Sequence, residues 1–355
     1  MDKYLAAIDL GTTTVEASLL RPDGSVAAKH GFSNPQIRYG SDVISRMTFL
    51  QKHPGTELLR DGVLQEMRDT LTKMLSWQNA AYPSDLERII VTCNSVMAAI
   101  LLKVPTEPLA TAPFGMPLAH TGEFQLDGVT VQVPVGASAF LGSDSCGGAW
   151  VLPVEEDELL MDLGTNGEMI LMHEGRLHGA SAACGPAFEN CTRSMGVHGS
   201  TTLSVISSLL RTGRIPGDGT LPAEIAEKGI ESMGVRITPK ILHDVQLASA
   251  AIYATFLSLI RRAGCGIPDI RTIYLAGGFG FHLSLRDAGT IGLIPEVLLN
   301  RVKISGNTSL LAAEKMTLEG VEGYDAFRSR VTSYQFAGDP EYESLFYSSL
   351  ALTKR

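Results

Sequence analysis

Two segments of this chain repeat one another: residues 8–20 read IDLGTTTVEASLL and residues 161–172 read MDLGTNGEMILM. A duplicated unit constrains architecture more firmly than local propensity, because both copies must solve the same packing problem. In each copy an apolar strand delivers an aspartate (Asp9, Asp162) and a glycine (Gly11, Gly164) turns the chain closely. Threonine and asparagine then supply donors, and an apolar strand leads away. Each copy also runs into a turn glycine, Gly24 in RPDGSV and Gly175 in HEGRL. The two aspartates lie 153 residues apart, so the natural division falls near Pro153 and gives two lobes, 1–153 and 154–355. Both lobes mix helix and strand. Residues 58–77 and 247–262 carry apolar side chains at helical spacing, whereas 88–92 and 272–276 are β-rich runs ending in small or turn residues.

Composition narrows the function. The chain has 355 residues, 45% of them hydrophobic, enough to bury more than one core. Its net charge of -9, without any Lys/Arg-rich run, excludes a protein that lives by neutralising nucleic-acid phosphates. The five cysteines (Cys93, Cys146, Cys184, Cys191, Cys265) are widely spaced and contain no C-x-x-C pair, which fits a reducing compartment and places the expectation in the cytoplasm. The opening MDKYLAAIDL reaches Asp9 too soon for a secretory signal. The most apolar helical stretch, 247–260, is shorter than the roughly 20 residues a membrane span needs and includes Ser249, Thr255 and Ser258. No membrane association is expected.

A third glycine-rich turn, Tyr-Leu-Ala-Gly-Gly-Phe-Gly at 274–280, completes the parts of a phosphate-binding cleft. Glycine turns let backbone N–H groups approach phosphate oxygens without an intervening Cβ. An aspartate at each strand end can hold Mg²⁺ through water, since that cation prefers oxygen and keeps much of its hydration. The third turn, after a strand and opening a helix, can receive an α-phosphate while its small residues admit the flat face of a base. This arrangement resembles the ASKHA superfamily (acetate and sugar kinases, heat-shock chaperones, actin) with its phosphate-1, phosphate-2 and adenosine motifs. The resemblance implies an α/β fold of two duplicated ribonuclease-H-like lobes closing on Mg-ATP. Asp9 and Asp162 would then sit near the metal and the attacking water. Gly11, Thr12, Thr13, Thr14, Gly164, Thr165 and Asn166 would neighbour the phosphates, and Gly277, Gly278, Phe279 and Gly280 the adenosine.

Four further motifs choose among the functions this superfamily serves. They are Asn34-Pro35-Gln36 with Tyr39-Gly40 and Asp42-Val43-Ile44-Ser45-Arg46; Pro134 with Gly142-Ser143-Asp144; Gly185-Pro186-Ala187-Phe188-Glu189; and Gly306-Asn307 after Ile291-Gly292-Leu293-Ile294-Pro295. Together with the second hairpin they resemble the C-terminal ATPase domain of the reductive activators of corrinoid proteins, over nearly the whole chain. The resemblance implies an ATP-dependent activator that returns an oxidised Co(II) corrinoid to Co(I) so that a methyltransferase cycle restarts. It extends the nucleotide site to Gly185, Pro186 and Glu189 and implies a homodimer. Such activators carry a plant-type 2Fe-2S ferredoxin domain with C-x4-C-x2-C spacing ahead of this region. These five cysteines contain no such spacing, so no iron–sulfur cluster is expected on this chain: either a separate low-potential ferredoxin-type donor is the electron source, or the redox role is lost and the ATPase kept. Smaller departures are Cys93 before Asn94, Ser249, and Asn190-Cys191. Reduction to Co(I) is uphill for ordinary donors, and a nucleotide-driven opening and closing of the lobes would change the surface offered to the partner.

Several readings stay open at this level. Glu189 can act as general base for the attacking water or as one half of a structural ion pair. Arg46 can clamp a phosphate or a partner carboxylate, or form a structural salt bridge. Cys184 and Cys191 can be metal ligands or small buried apolar residues. His173, His178, His198 and His282 form no zinc-like set. Three other functions compete: an activator ATPase of the 2-hydroxyacyl-CoA dehydratase type with a 4Fe-4S cluster bridging its dimer, a small-molecule kinase, and a nucleotide-sensing adaptor that hardly hydrolyses ATP.

Overall fold

The computed structural model describes residues 3–152, 154–184, 199–221 and 223–355. These form two compact units, Met1–Pro153 with Asn307–Val331, and Val154–Gly306 with Thr332–Arg355.

The first unit is built on a sheet of order β3-β2-β1-β4-β6-β5, from Tyr4–Leu10 (β1), Thr14–Leu20 (β2), Val26–Ser33 (β3), Leu86–Cys93 (β4), Gly122–Leu126 (β5) and Val129–Val133 (β6). β1, β2 and β3 form an antiparallel meander, while β4 runs parallel to β1 and β6 parallel to β4. Strand alternation sends Ala6, Ile8 and Leu10 to one face, where they share a core with Leu59, Val63, Met67, Leu71 and Met74 of the helix Leu58–Ser76. The other face is covered by the helix Thr308–Glu319, whose Ser309 meets Thr92 of β4 at 2.9 Å between hydroxyl oxygens. β1 is therefore buried on both faces, which is why it reads as a continuous apolar run broken only at Asp9.

The second unit repeats the plan with Glu158–Leu163 (β7), Gly167–His173 (β8), Arg176–Ala182 (β9), Thr272–Ala276 (β12), Val302–Gly306 (β13) and Val331–Tyr334 (β14), in the order β13-β12-β7-β8-β9-β14. Ile230–Ser232 (β10) and Val235–Ile237 (β11) form a separate hairpin. Here too a meander, β7-β8-β9, is followed by two strands parallel to its first member. The duplication seen in two short motifs thus extends to the strand order β3-β2-β1-β4-β6 against β9-β8-β7-β12-β13. The core of this unit is closed by the helix Pro239–Ala263, longer than its periodicity alone predicts because Thr238 caps its start, Pro239 occupies its first turn and Gly264 ends it at φ +93°. Ile252, Phe256 and Leu259 of that helix pack with Leu159, Met161 and Met169 of the sheet.

The units are not the two contiguous halves 1–153 and 154–355. Residues 307–331 return to the first unit because the helix Thr308–Glu319 supplies the missing cover for β1 and β4 and packs on the helix Ser143–Val151. Small residues permit that approach: a Cβ on Gly147 would lie 2.7 Å from the Cβ of Ala312. The same returning segment buries Tyr324, whose hydroxyl donates to the Val135 carbonyl at 2.7 Å. Among the described residues no helix is long and apolar enough to cross a membrane. Tyr324→Phe removes the hydroxyl that donates to that carbonyl, and is expected to destabilise the first unit by about 1–2 kcal/mol, read from the midpoint of urea unfolding.

Candidate functional site

Asp9 lies at the carboxyl end of β1, opposite Thr92 of the parallel strand β4 and opposite Glu16 of the antiparallel strand β2. In open α/β sheets this is the edge at which ligands are bound. One carboxylate oxygen accepts from the Ser309 hydroxyl at 2.8 Å and the other from the Asn307 side-chain amide at 2.8 Å. Asn307 also donates to Glu16 at 3.0 Å, while its own carbonyl oxygen caps the helix Thr308–Glu319. Burial pushes the Asp9 carboxyl up to about 7, against the pull of the Ser309 and Asn307 bonds, and the charge of Asp144 adds to the rise. Asp144 starts the helix Ser143–Val151 and is likewise pushed up by burial. It reaches this place through Gly142, where a Cβ would lie 2.5 Å from the Asn94 Cα. Two carboxylates withdrawn from water at one strand end form an oxygen-rich position that a hard cation would neutralise, so these residues fit Mg²⁺.

The turn after Asp9 is tied down from beneath. The Gly11 carbonyl accepts from the Asn34 side chain at 2.8 Å, the Thr13 carbonyl from the Asn34 backbone N–H at 2.8 Å, and the Thr12 carbonyl from the Arg46 guanidinium. Asn94 donates to the Thr12 hydroxyl at 3.3 Å and caps the helix Ser95–Leu101 through the backbone N–H groups of Val96 and Met97. Arg46 is completely buried, so it reaches neither a bound phosphate nor a carboxylate on another protein.

In the second unit Asp162 occupies the equivalent position on β7, opposite Glu168 of β8 and beside Ala276 of the parallel β12. Its turn, Gly164 to Asn166, is one residue shorter than the first, with Leu163 facing Gly167 where Leu10 faces Val15. It closes through the Gly164 N–H and the Asn166 carbonyl at 2.9 Å, and Thr165 is buried. The third glycine turn meets this aspartate directly. Gly277 has φ +85°, and a Cβ there would lie 2.4 Å from an Asp162 carboxylate oxygen and 2.4 Å from the Leu163 carbonyl. No other residue type fits that position. Gly278 faces open space, and Gly280 packs against Leu275, whose Cγ a Cβ would approach to 3.1 Å. Phe279 lies in the helix Gly277–His282, which this turn opens.

Gly185, Pro186, Glu189 and Cys191 lie outside the described residues. Cys184 is buried against the Ala182 carbonyl and its thiol is pushed well up by burial, the state of a small apolar side chain. Cys93 is buried in the same way at the end of β4. Ser249 bonds the Ile291 carbonyl at 3.1 Å inside the second unit. His173 sits 2.7 Å from Asp157, and Glu156 accepts from the N–H groups of Glu174 and Gly175. With Glu174 at φ 50° and Gly175 at φ 69°, these acidic side chains clamp the β8–β9 hairpin, and the close His173–Asp157 contact is a hydrogen bond. His178 bonds the Tyr334 hydroxyl at 2.9 Å.

Sequence reasoning left Asp144, Asn307 and Ser309 without a role. Asp144 and Asn307 stood inside quoted motifs, Gly142-Ser143-Asp144 and Gly306-Asn307. Ser309, 300 residues from Asp9, carried no local signal at all.

Two sheets of the same strand order, each ending an aspartate-bearing strand in a glycine turn, define an ASKHA-type nucleotide-binding protein. Residues 4–156 match the family model described as the RACo middle region, and residues 156–202 and 190–355 that described as the C-terminal domain of RACo, the ASKHA domain. The chain belongs to the RACo family. It is 26% identical to the corrinoid activation enzyme RamQ of Eubacterium limosum, an alignment covering 96% of this chain and 68% of the relative. It is likewise 26% identical to the Co(II) methylated amine-specific corrinoid protein reductase of Methanosarcina barkeri, covering 89% of this chain and 70% of the relative. A solved reductive activator for a corrinoid, iron-sulfur protein superposes with a TM-score of 0.86 at 22% identity, covering 99% of this chain and 66% of that one. The chain thus spans about two thirds of the length of the relatives it matches.

The raised Asp9 carboxyl has a consequence for stability. Between the unfolded value of 3.8 and about 7 the folded chain holds a proton that the unfolded chain has released, so stability falls as pH rises through that window. Above pH 7 the charged carboxylate remains as a standing penalty. Asp9→Asn is therefore expected to stabilise the protein at pH 8 in chelator by about 2 kcal/mol, and to bring no gain at pH 4, as measured by thermal unfolding at the two pH values.

Proposed function

We propose that this chain is an ATP-dependent reductive activator of a corrinoid protein, coupling ATP binding and hydrolysis to reduction of Co(II) to Co(I) in its partner. The observation that carries this reading is the match to both RACo family models across residues 4–355. The names of the curated relatives, one a corrinoid activation enzyme and one a corrinoid protein reductase, support it. Electrons would come from a separate low-potential ferredoxin-type donor, and the working form would be a cytoplasmic homodimer.

Within that reading, Asp9 and Asp162 would each offer a carboxylate to Mg²⁺ through water, and the ion would supply positive charge against the phosphates. The turns Gly11–Thr14 and Gly164–Asn166 present backbone N–H groups to phosphate oxygens. Gly277, Gly278, Phe279 and Gly280 meet the adenosine, with Gly185 and Pro186 beside it. Glu189 orients the attacking water and takes its proton. Asp144, withdrawn from water like Asp9, adds a second carboxylate at the same strand end. ATP changes the affinity of the activator for one state of the corrinoid protein, and hydrolysis resets the complex.

An anaerobic assay tests this. The protein, Mg-ATP, a low-potential reductant and a Co(II) corrinoid protein are mixed and the corrinoid absorbance is followed, with Asp162→Ala as control. ATP-dependent appearance of Co(I), lost in the control, is expected; intact ATP hydrolysis with no corrinoid change across several clients would sink the reading. Gly277→Ala, which forces a Cβ onto Asp162, is expected to weaken ATP binding by roughly tenfold or more in calorimetric titration. Glu189→Gln is expected to lower kcat by about 100-fold with ATP affinity retained, whereas a structural ion pair would move stability instead.

A further inference from the structure

The Asn34-Pro35-Gln36 and Asp42 to Arg46 segments enter the functional reading only as family motifs, and the structure directs both onto the Gly11–Thr13 turn. Asn34 is 1% exposed, and Gln36 and Arg46 are fully buried, an unusual environment for three strongly polar side chains. Each donates to at least one backbone carbonyl. Asn34 bonds the Gly11 carbonyl through its side chain and the Thr13 carbonyl through its N–H, and its own oxygen accepts from the Gln36 N–H at 2.9 Å to cap the 3-10 turn Pro35–Arg38. Arg46 spreads its guanidinium over the Thr12 carbonyl, the Gly40 carbonyl at 3.0 Å, the Gln36 side-chain oxygen at 2.9 Å and the Met97 sulfur at 3.5 Å. Gln36 passes the support on to the Leu59 carbonyl at 3.1 Å.

Arg46 itself is delivered with little freedom. Asp42 caps the helix Val43–Lys52 through the Ser45 N–H at 2.8 Å, and the Ser45 hydroxyl bonds back to Asp42, so the first turn is fixed. Gly40 lies so close to this turn that a Cβ would sit 2.5 Å from the Ser45 hydroxyl and 2.7 Å from the Arg46 nitrogen. Six residues of these motifs, Asn34, Gln36, Gly40, Asp42, Ser45 and Arg46, thus serve one purpose.

A trans peptide carries its C=O and the following N–H on opposite sides. Holding the Gly11 and Thr12 carbonyls in the brace therefore fixes the Thr12 and Thr13 N–H groups on the opposite side of their peptide planes from Asn34 and Arg46. A glycine-containing turn left to itself exchanges between peptide orientations readily, and one flip would replace a donor facing the anion with a carbonyl oxygen. We propose that Arg46, with Asn34, is a positioning residue for phosphate binding: it locks the peptide planes of the Gly11–Thr13 turn so that their N–H groups meet the nucleotide phosphates. This inference rests on the nucleotide-binding reading above, and deepens it.

Calorimetric titration of the full chain with ATP and with adenosine tests it, because only ATP reaches the turn through phosphates. Arg46→Met is expected to raise the ATP dissociation constant on the order of tenfold and to leave that of adenosine unchanged, with Arg46→Lys falling between because one ammonium cannot span the same set of acceptors. Asn34→Asp keeps the cap on Gln36 but turns an acceptor toward the Gly11 carbonyl, and is expected to weaken ATP in the same selective way; it decides the matter should Arg46→Met fail to fold. Equal loss for ATP and adenosine, or unchanged ATP affinity in folded variants, would overturn the positioning role while leaving the nucleotide reading intact. Wild-type protein that binds no ATP would overturn both.

Discussion

Asp9 is a carboxylate withdrawn from water, compensated by hydrogen bonds from Asn307 and Ser309, and much of the first unit follows from that arrangement. β1 must be central for its end to be shielded, so it needs a helix on each face. One of those helices comes from far along the chain because its first turn has to bring the two donors. Removing either donor alone would leave a partly desolvated anion short of a partner, which costs more than the bond itself is worth. The arrangement stabilises a site rather than a fold, since the same position filled by a neutral side chain would be easier to bury.

The second unit solves the same problem with different parts. Asp162 stands at the matching strand end, again opposite a glutamate, but its neighbour is the backbone of Gly277, pressed so close that only hydrogen fits where a side chain would begin. The first turn is longer by one residue and is held by buried polar side chains, the second shorter and held within itself by the Gly164–Asn166 bond. Duplication has preserved strand order and the acidic pair across each hairpin, while the means of fixing each turn have diverged.

What was legible in the sequence is what depends on local spacing. The paired hairpins, the third glycine turn and the long helix ending near Arg262 could be read because each is specified within a short stretch of chain. The plan of two duplicated α/β lobes followed from the resemblance those stretches carry, and the strand order within each sheet came from the structure. The dual allegiance of residues 307–331 could not be read, because a helix with ordinary periodicity does not announce which sheet it covers. Ser309 was invisible for the same reason, and Asn307 was visible in a motif but not in its role, because their partner is about 300 residues away. Arg46 was visible as a charged residue in a motif, and of the readings open for it, a clamp on a phosphate or on a partner carboxylate requires an exposed guanidinium. Only the tertiary structure showed that it is buried, with two backbone carbonyls, the Gln36 side chain and the Met97 sulfur as partners.

The chain leaves the first unit after residue 153 and comes back to it at Asn307. On the ribosome, where domains generally fold in the order in which they emerge, this imposes a schedule. The meander and its neighbours are made early but lack the cover on one face of β1 and β4 until five of the six strands of the second unit's sheet have been synthesised. The second unit can thus assemble most of its core while the first is still open on one side. The last pieces to arrive in the first unit include the two donors that make Asp9 tolerable, so the acidic site is completed only when the chain is nearly finished, and a nascent chain stalled before Asn307 would carry the aspartate without the residues that shelter it.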